Sequence, residues 1–253
     1  MIYGLYLSAA GVVTNSFRQD VIANNLANSE TIGFKRDLAN LQQRPTAAAE
    51  RGDMDQSIDP MLENIGGGLL ASRAGVDTSR GEFEPTGNNL DVAIEGNGYF
   101  AVSSGKDVRL TRNGQFLINR MGQLALANDK GQTVLDNKQT PIQLDSTLPL
   151  SIGSDGTVSQ DGKTVAQLGL FDVSDPGQLR KDGGTLLTFP KGTTLAAANP
   201  TLHDQALERS NVEPAGELTQ LMDTQRQLEA NANMIHIQDE TLDKLVNDVG
   251  KVS

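Results

Sequence analysis

A glycine-rich run in the middle of the sequence has the spacing of a nucleotide-binding site. Gly96, Gly98 and Ala101 fit the fingerprint G-x-G-x-x-A, which binds a dinucleotide only where it opens a helix whose amino end receives the pyrophosphate. The residues from Tyr99 to Val102 have the pattern of a strand instead, and no βαβ unit follows them. The run therefore predicts a tight hairpin turn and no bound nucleotide.

Oxygen-bearing side chains at alternate positions imitate the first ligands of a calcium loop, and they are Asp53, Asp55, Ser57 and Asp59. Such a loop needs a glycine at its sixth position and a bidentate glutamate at its twelfth. These two positions hold Ile58 and Asn64. The spacing therefore does not predict calcium binding.

The histidines and the acidic pairs do not form a catalytic set. Cysteine is absent and the two histidines are His203 and His236, so thiolate chemistry, disulfides and zinc–thiolate sites are excluded. His203 and Asp204 imitate a dyad, but the sequence places no nucleophile beside them. Asp239 and Glu240 are adjacent on a helix and point in different directions. The sequence predicts no catalytic residue, no metal ligand and no cofactor.

Charge and hydropathy restrict the class of partner. The 253 residues carry a net charge of -11, whereas nucleic acid or an anionic membrane surface needs a basic face, and no Lys/Arg cluster provides one. No apolar run is long enough to span a bilayer, so no membrane insertion is predicted. The amino-terminal run up to Phe17 lacks a positive n-region and is a poor cleavable signal peptide.

The carboxy-terminal segment has the period of a coiled-coil helix. Apolar residues recur every seven positions, at Leu221, Leu228, Ile235, Leu242 and Val249. A second set lies three residues before each of them, at Leu218, Gln225, Ala232, Asp239 and Val246. Pro214 suits the first turn and Gly250 the stop, so the spacing predicts a helix of about 36 residues, roughly 54 Å long. Such a stripe must be buried against a second helix.

The amino-terminal segment is the candidate for that second helix. From Tyr3 to about Ala27 the apolar period predicts a helix of about 25 residues. The large members of its stripe include Leu5, Val12 and Leu26. Its small members, which would let a second backbone come close, are Ala9, Ser16 and Ala23. The two ends of the chain are therefore predicted to pair as an α-helical coiled coil.

The residues between the two helices predict a connector followed by a β domain. Residues 38–75 hold Pro45, Pro60 and three consecutive glycines from Gly66, a composition typical of an extended segment. From residue 76 to residue 205 apolar residues alternate in short runs, which indicates antiparallel strands. Turn pairs that favour positive φ separate the runs: Asn113-Gly114, Asp155-Gly156, Asp161-Gly162 and Gly183-Gly184.

The predicted fold class is therefore α+β. Residues 1–37 and 206–253 form a discontinuous helical domain, residues 38–75 an extended connector, and residues 76–205 a central antiparallel all-β domain. Helices that remain partly uncovered on a single chain are available to further copies. A contact of this kind that does not close on itself generates a filament, so the pattern predicts an assembly protein.

Three groups of residues, one near each end and one in the middle, form motifs. The amino-terminal group, continued by Lys35, is Asn24, Asn25, Asn28, Gly33 and Phe34. The carboxy-terminal group is Asn211, Gln225, Arg226, Glu229 and Asn231. The middle group consists of Leu90 to Ile94, Gly96, Gly98, Thr111 to Gly114, and Phe116. Both ends resemble the bacterial flagellar axial proteins, which build the rod, the hook and the hook-associated structures, and the middle group is similar to the rod proteins in particular.

The resemblance implies a structural subunit of the flagellar basal-body rod, the drive shaft that transmits torque from motor to hook. It also implies self-assembly through the terminal helices with other rod and axial proteins, in a homo-oligomeric or hetero-oligomeric helical assembly. Export by the flagellar type III apparatus, without a cleaved signal peptide, would deliver the subunit to the rod where it crosses the periplasm. The short chain and its connector, which departs from the distal-rod pattern, favour the proximal rod type.

Two other functions stay open at the level of sequence. A hook or hook-associated protein would share the two ends but should carry a middle larger than about 130 residues. An enzyme with incidental helical termini would need a convergent polar pocket within residues 76–202.

Overall fold

The computed structural model describes residues 2–44, 68–105, 107–128, 131–190 and 192–249. Within these ranges the chain is α+β, as predicted, with a helix near each end and a β-rich body between them. The chain forms two compact units. One consists of Met1–Leu26, Asp37–Ala74 and Pro214–Ser253, and the other of Ala27–Arg36 and Gly75–Glu213.

The first unit contains the two long helices. Helix α1 covers Ile2–Ala27, and helix α2 covers Pro214–Lys244 and continues as a π-helical turn over Leu245–Val249. The expected start at Pro214 is found, since proline at the first helical position leaves no N–H unpaired. The expected stop at Gly250 lies outside the described residues.

Helices α1 and α2 contact each other along their lengths in opposite directions. Near the end of α1 the Asn25 amide faces the Glu217 carboxylate across 3.5 Å, and Gln19 donates to Gln225 at 2.6 Å. Near its beginning Gly11 lies against Asn231. Positions that advance along α1 thus meet positions that recede along α2, so the two helices are antiparallel.

The partly buried side of α2 differs from the predicted one. Four predicted positions are half-buried: Leu221, Leu228, Ile235 and Leu242. Leu218 is 48% exposed, and Val246, from the same predicted set, is 70% exposed. The side facing inward carries instead the polar set Glu217, Thr224, Asn231 and Gln238. The prediction was based on the more apolar of two neighbouring rows of α2. In the structure the row that faces α1 is the one whose side chains fit against that helix. Val249 has a side chain outside the described part of the chain.

The close approach on α1 also differs from the predicted one. Leu5, Val12 and Leu26 are half-buried, but the small residues expected at the contact, Ala9, Ser16 and Ala23, are exposed. Gly4 and Gly11 lie at the contact instead, because a Cβ at either position would meet an amide side chain of α2. Glycine and alanine are both small, so the apolar stripe alone did not distinguish the two rows.

Three short strands complete the first unit. They are β1 (Asp37–Leu38), β2 (Leu41–Gln43) and β3 (Leu69–Ala71), and β2 pairs antiparallel with β3. The predicted extended connector at 38–75 therefore contains paired backbone at both of its ends. The calcium-like run from Asp53 to Asn64 lies outside the described residues.

The second unit consists of short antiparallel strands. They are β4 (Gly75–Val76), β5 (Phe83–Pro85), β6 (Val92–Glu95), β7 (Tyr99–Ser104), β8 (Asp107–Thr111), β9 (Phe116–Ile118), β10 (Leu124–Leu126), β11 (Thr133–Val134), β12 (Leu150–Ile152), β13 (Thr157–Gln160), β14 (Lys163–Gln167), β15 (Leu170–Val173), β16 (Arg180–Lys181), β17 (Leu186–Thr188), β18 (Leu195–Ala197), β19 (Thr201–Asp204) and β20 (Ala206–Glu208). A 3₁₀ turn at Pro176–Gln178 follows β15.

The largest sheet has the strand order β16-β17-β8-β7-β11-β10-β9. Strand β15 also pairs with β7, on the same edge as β11, and β18 pairs with β15. Strands β12, β13 and β14 form a second sheet, while β19 pairs with β6 and β20 with β5. Three predicted turn pairs join paired strands: Asp155-Gly156, Asp161-Gly162 and Gly183-Gly184. Asn113-Gly114 instead lies between β8 and β9, which are not paired with each other.

Strand β7 is buried on both of its faces. Phe100 and Val102 pack into one apolar cluster with the residues of β6 and β10. Tyr99 and Ala101 point the other way into a second cluster. This alternation follows from the two-residue period of a strand, and the ring of Phe100 meets that of Phe116 edge to face at 5.1 Å.

The limits of the β unit differ from the predicted ones. Strand β20 pairs with β5, so residues 206–213 belong to the β unit and not to the terminal helical domain. Residues 27–36 belong to it as well, because Phe34 is 1% exposed and the Lys181 ammonium lies 3.4 Å from the centre of its ring. Both segments are held by packing against the β unit, which the apolar period of the helices does not predict.

Within the described residues, no helix combines the length and the apolar character that crossing a bilayer requires.

Replacing Phe100 by alanine should destabilise the β unit strongly. The side chain is fully buried, and truncation of such a ring costs about 3–5 kcal/mol through lost transfer energy and the cavity left behind. Leu148, which is 41% exposed, provides the control, and its replacement by alanine should change the free energy of unfolding by about 0.5 kcal/mol or less. Denaturant unfolding of the purified chain measures both, and equal losses would contradict the assignment of this core.

Candidate functional site

Three buried charged side chains meet inside the β unit, and we call them the ion cluster: Lys35, Arg112 and Glu208. The ammonium of Lys35 donates to the Glu208 carboxylate at 2.6 Å and to the carbonyl oxygen of Ser79 at 2.6 Å. Lys35 is 2% exposed and Glu208 is fully buried. Charged residues are rarely buried to this extent unless they are paired.

Arg112 is the second cation of the ion cluster. Its Nη1 donates to Glu208 Oε2 at 3.2 Å and to the carbonyl of Ile94 at 3.2 Å, and its Nη2 donates to the carbonyl of Gly96 at 2.7 Å. The guanidinium also lies 5.0 Å from the ring centre of Tyr99. Arg112 therefore ties the carboxylate to the turn that joins β6 to β7.

The ion cluster contains two cations and one anion. Burial lowers the pKa of Lys35 and Arg112 lowers it further, while the Glu208 carboxylate raises it, and the balance lies below the ordinary value. Burial likewise raises the pKa of the Tyr99 hydroxyl. Desolvation thus outweighs the attraction that one shared carboxylate provides.

The turn before Lys35 places its side chain in the ion cluster. Gly33 adopts φ of 67°, a conformation that glycine enters without steric cost. A Cβ at this position would clash with the backbone of Arg112 and Asn113. The Gly33 amide donates to the backbone carbonyl of Glu208 at 2.7 Å. Backbone and side chain therefore join the segment after α1 to strand β20.

Asn211 adds a second connection between the same two segments. Its Oδ1 accepts the Arg36 amide at 2.7 Å, and its Nδ2 donates to the carbonyls of Asp77 and Ser79 at 3.1 Å each. One side chain thus satisfies backbone groups from two separate stretches of chain. The residue belongs to the carboxy-terminal motif of the sequence.

In the helical unit, Asn25 holds the end of α1. Its Oδ1 accepts the amide of Asp37 at 2.8 Å and its Nδ2 donates to the carbonyl of Asp37 at 3.0 Å. The end of α1 is therefore fixed by side-chain to backbone bonds. Asn28 accepts from the hydroxyl of Thr31 at 3.2 Å, while Asn24 is exposed.

The structure distributes the motif residues over several places. Gly33, Phe34 and Asn211 lie around the ion cluster, while Asn25 and Asn231 lie in the helical unit. Gln225 contacts both Gln19 and Glu229, and Arg226 is exposed. Sequence reasoning missed Glu208 as a buried group, because nothing in the residue pattern separates it from its exposed neighbour Arg209.

The nucleotide-like run forms a turn without a helix. Gly96 and Gly98 adopt φ of 103° and 130° between β6 and β7. These strands pair with other strands and not with each other, so the predicted hairpin is wrong although the turn itself is found. The peptide carbonyl of Gly96 points to Arg112, so the run contributes to the ion cluster.

The remaining sequence candidates lie apart from the ion cluster. His203 Nε2 lies 2.7 Å from Glu95 Oε2 on the surface, beside the ring of Phe83, and His236 is exposed on α2. Over the ranges that the structure describes, no three His, Asp or Glu residues are grouped closely enough to bind a metal. A polar cavity of about 210 Å³ is lined by Tyr99, Arg112, Asp172 and neighbouring residues.

Comparisons with known proteins match all three motif regions. A family model described as "Flagella basal body rod protein" matches residues 5–35. One described as "Flagellar hook protein FlgE/F/G D1 domain" matches residues 93–160. One described as "Flagellar basal body rod FlgEFG protein C-terminal" matches residues 203–248. The three matched ranges contain all three members of the ion cluster, Lys35, Arg112 and Glu208.

Curated relatives are similar over their whole length. The flagellar basal-body rod protein FlgF of Caulobacter vibrioides is 33% identical over 254 residues, covering 98% of each chain. The rod protein FlgG of Bacillus subtilis strain 168 is 32% identical and covers 98% of this chain and 99% of its own. FlgG of Buchnera aphidicola subsp. Schizaphis graminum is 30% identical, with 97% and 99% covered.

Changes in the ion cluster should have unequal effects. Glu208→Gln leaves two buried cations without a counter-charge and should lower the free energy of unfolding by about 3–5 kcal/mol. Lys35→Met leaves Glu208 paired with Arg112 and should cost only about 1–2 kcal/mol, the scale of a lost hydrogen bond. Denaturant unfolding measures both variants. A larger loss for Lys35→Met than for Glu208→Gln would contradict this account of the cluster.

An exposed ion pair provides the matched control for these variants. Arg209 Nε and Glu84 Oε2 lie 3.6 Å apart with about half of each side chain in solvent. Glu84→Gln should therefore cost less than about 1 kcal/mol.

The lowered pKa of Lys35 predicts a pH dependence of stability. As pH rises toward the ordinary value of 10.5, the folded chain releases the Lys35 proton while the unfolded chain still binds it. Stability then rises with pH, because the unfolded state binds more protons. The wild-type chain should gain stability relative to Lys35→Met as pH approaches 10.5. Unfolding curves of both chains measure the difference, and a constant difference would refute the predicted shift.

Proposed function

The chain belongs to the family of flagellar basal-body rod proteins, and from this premise we propose that it is a structural subunit of the flagellar rod. The supporting observation is similarity at full length, 33% identity over 98% of both chains to a FlgF protein. Family models that match both terminal segments and the β unit agree with it. A rod subunit of this kind transmits torque from motor to hook and performs no chemical reaction.

The proposed location is the flagellar basal body, and the proposed partners are other rod and axial proteins. We place the subunit where the rod crosses the periplasm, delivered by the flagellar type III export apparatus without a cleaved signal peptide. This route is taken from the family resemblance. The relatives named FlgF and FlgG are both rod proteins, which favours a rod subunit over a hook or hook-associated protein.

Within the rod we propose the proximal type. The short chain and the departure of residues 38–75 from the distal pattern support this position. Relatives of both names match at nearly equal identity, 33% for one FlgF and 32% for one FlgG.

The terminal helices are the proposed assembly elements. Helix α2 turns a row of large apolar side chains away from α1, and exposed fractions of about half are found at Leu218, Met222, Met234 and Ile237. Burying the exposed half of such a side chain against a neighbouring subunit would gain roughly 1 kcal/mol, about half of the gain for a fully exposed side chain. We therefore propose that α1 and α2 form a coiled coil whose outer side is completed by neighbouring subunits in a helical array.

A groove beside this row supports the same proposal. It has a volume of about 410 Å³ and is lined by Gln19, Leu221, Met222, Gln225, Arg226 and Glu229. Mostly apolar walls with a polar rim are typical of surfaces that bind another protein. Three of the motif residues, Gln225, Arg226 and Glu229, lie on its rim, and we propose that they contact the neighbouring subunit.

The ion cluster has a mechanical role in this proposal. Lys35 follows α1 and Glu208 precedes α2, and their bond joins the two segments that lead to the helices. A load applied through either helix would therefore reach the same point of the β unit. Buried, hydrogen-bonded charges suit such a point because separating them in a dry interior is costly.

An enzyme is the alternative that the structure allows us to weigh. The polar cavity of about 210 Å³ contains Arg112 and Asp172, but Arg112 is engaged by Glu208 and two backbone carbonyls. Its groups therefore support the fold around the ion cluster. The rod function accounts for the terminal helices, which an enzyme in the β unit would leave unexplained.

Deletion of the gene should abolish swimming and shorten the basal body. A rod that lacks one structural subunit cannot connect motor to hook, so the expected change is a complete loss of motility in soft agar, restored by the wild-type gene. Electron microscopy of isolated basal bodies shows where the rod ends. Normal swimming and intact basal bodies in the deletion strain would refute the proposed function.

A further inference from the structure

The contact between α1 and α2 is made by paired positions that repeat every seven residues. Gly4 lies against Gln238 and Gly11 against Asn231, and Asn25 contacts Glu217. Positions 4, 11 and 25 are separated by multiples of seven, and their partners by the same multiples in reverse order. The contact therefore follows one register along the whole pair.

Each glycine provides space for an amide side chain of the opposite helix. A Cβ placed on Gly11 would lie 2.7 Å from Asn231 Nδ2, and one placed on Gly4 would lie 2.8 Å from Gln238 Nε2. Real Cβ atoms do not approach nitrogen so closely, so a side chain at either position would require the facing amide to move. Polar groups thus stand where a coiled coil ordinarily has apolar ones.

The apolar residues of α2 do not specify this register. Leu221, Leu228 and Leu242 repeat the same side chain at multiples of seven residues, so a slip of one heptad would present nearly the same apolar surface. The polar row differs at every step. After a slip of one heptad in either direction Glu217 would no longer lie beside Asn25, and its buried carboxylate would lose the Asn25 amide. The slip that brings Thr224 beside Gly11 also moves Asn231 from Gly11 to Gly4.

We propose that Asn231 and Gln238, seated on Gly11 and Gly4, and the Asn25–Glu217 contact determine the register of the terminal helix pair, while the leucines contribute affinity without register. The inference deepens the proposed rod function, because the helix pair is the element through which we expect the subunit to assemble. The polar row has a cost in stability, since Gln238 Oε1 is buried and has no hydrogen-bond partner among the described residues. A polar group at a core position commonly sets register at such a cost.

Disulfide mapping in the purified full-length chain tests the register directly, because the chain contains no cysteine. The first variant carries Gly11→Cys with Asn231→Cys, whose Cβ atoms should fall within the roughly 3.5–4.5 Å that a disulfide needs. The second carries Gly11→Cys with Thr224→Cys, which can react only after a slip of seven residues, about 10.5 Å. Both variants share one cysteine and have the same length of chain.

We expect the first variant to form its intramolecular disulfide more than about tenfold faster than the second. The comparison is conservative, because the second variant retains Asn231, whose side chain would be crowded by Cys at position 11 and would favour the slip. Mild oxidation followed by non-reducing electrophoresis and peptide mapping gives the rates. Equal rates would overturn the proposed register, including the case in which the helices do not pair in the single chain.

A third variant tests whether the polar row is the cause. Adding Asn231→Leu and Gln238→Leu to the Gly11→Cys, Thr224→Cys chain should raise its rate of disulfide formation about fivefold or more, since leucines accept either register. An unchanged rate would show that the amides do not set the register. Ala9→Leu with Val13→Leu, on the exposed side of α1, provides the control and should leave the rate unaltered.

The outcome is separable from the rod function. Swimming of the deletion strain tests the function without reference to register, whereas disulfide formation in the purified chain tests the register without reference to motility. A chain with the expected disulfides from a strain that swims normally after deletion would retain the register and lose the function. The opposite pair of results would retain the function alone.

Discussion

The bond between Lys35 and Glu208 is the constraint around which the β unit is arranged. A carboxylate that is fully buried can remain charged only if donors surround it, and the donors come from the segment after α1, from Gly81 and from Arg112. These groups lie far apart in the sequence, 173 residues for the Lys35 pair. If one of these groups left the interior, the others would stay buried without a partner. The ion cluster therefore holds together the two segments that lead to the helices.

The contact between α1 and α2 is also made by polar groups. Its inward row on α2 is polar, and three of its four side chains, Glu217, Asn231 and Gln238, are placed where α1 offers an amide or a glycine. Such a contact gains little from the hydrophobic effect, which is roughly proportional to apolar area. It gains selectivity instead, because an amide fits a glycine notch and does not fit a leucine. Four large apolar residues of α2 are left exposed on its outer side: Leu218, Met222, Met234 and Ile237.

The sequence was informative wherever structure is local. The heptad leucines and Pro214 predicted α2, and Asp161-Gly162 predicted a hairpin, because helix period and turn conformation depend on neighbouring residues. Glu208 was missed, since its partners are remote in sequence and its residue type predicts exposure, as is found for the next residue, Arg209. Leu218 was assigned to the wrong side for a related reason. Hydropathy ranks it above Glu217, and only the position of Asn25 on the other helix reverses that order.

The inner and outer sides of α2 therefore have different roles in the proposed assembly. If the apolar row faced α1, the chain would bury its most adhesive surface internally, and neighbours would meet a polar helix with little area to gain. With the polar row inward, the single chain keeps its two ends together by selectivity while the apolar row stays available. In the helical array that we propose, stability would come from contacts between subunits, because the exposed apolar side chains of α2 are buried only there.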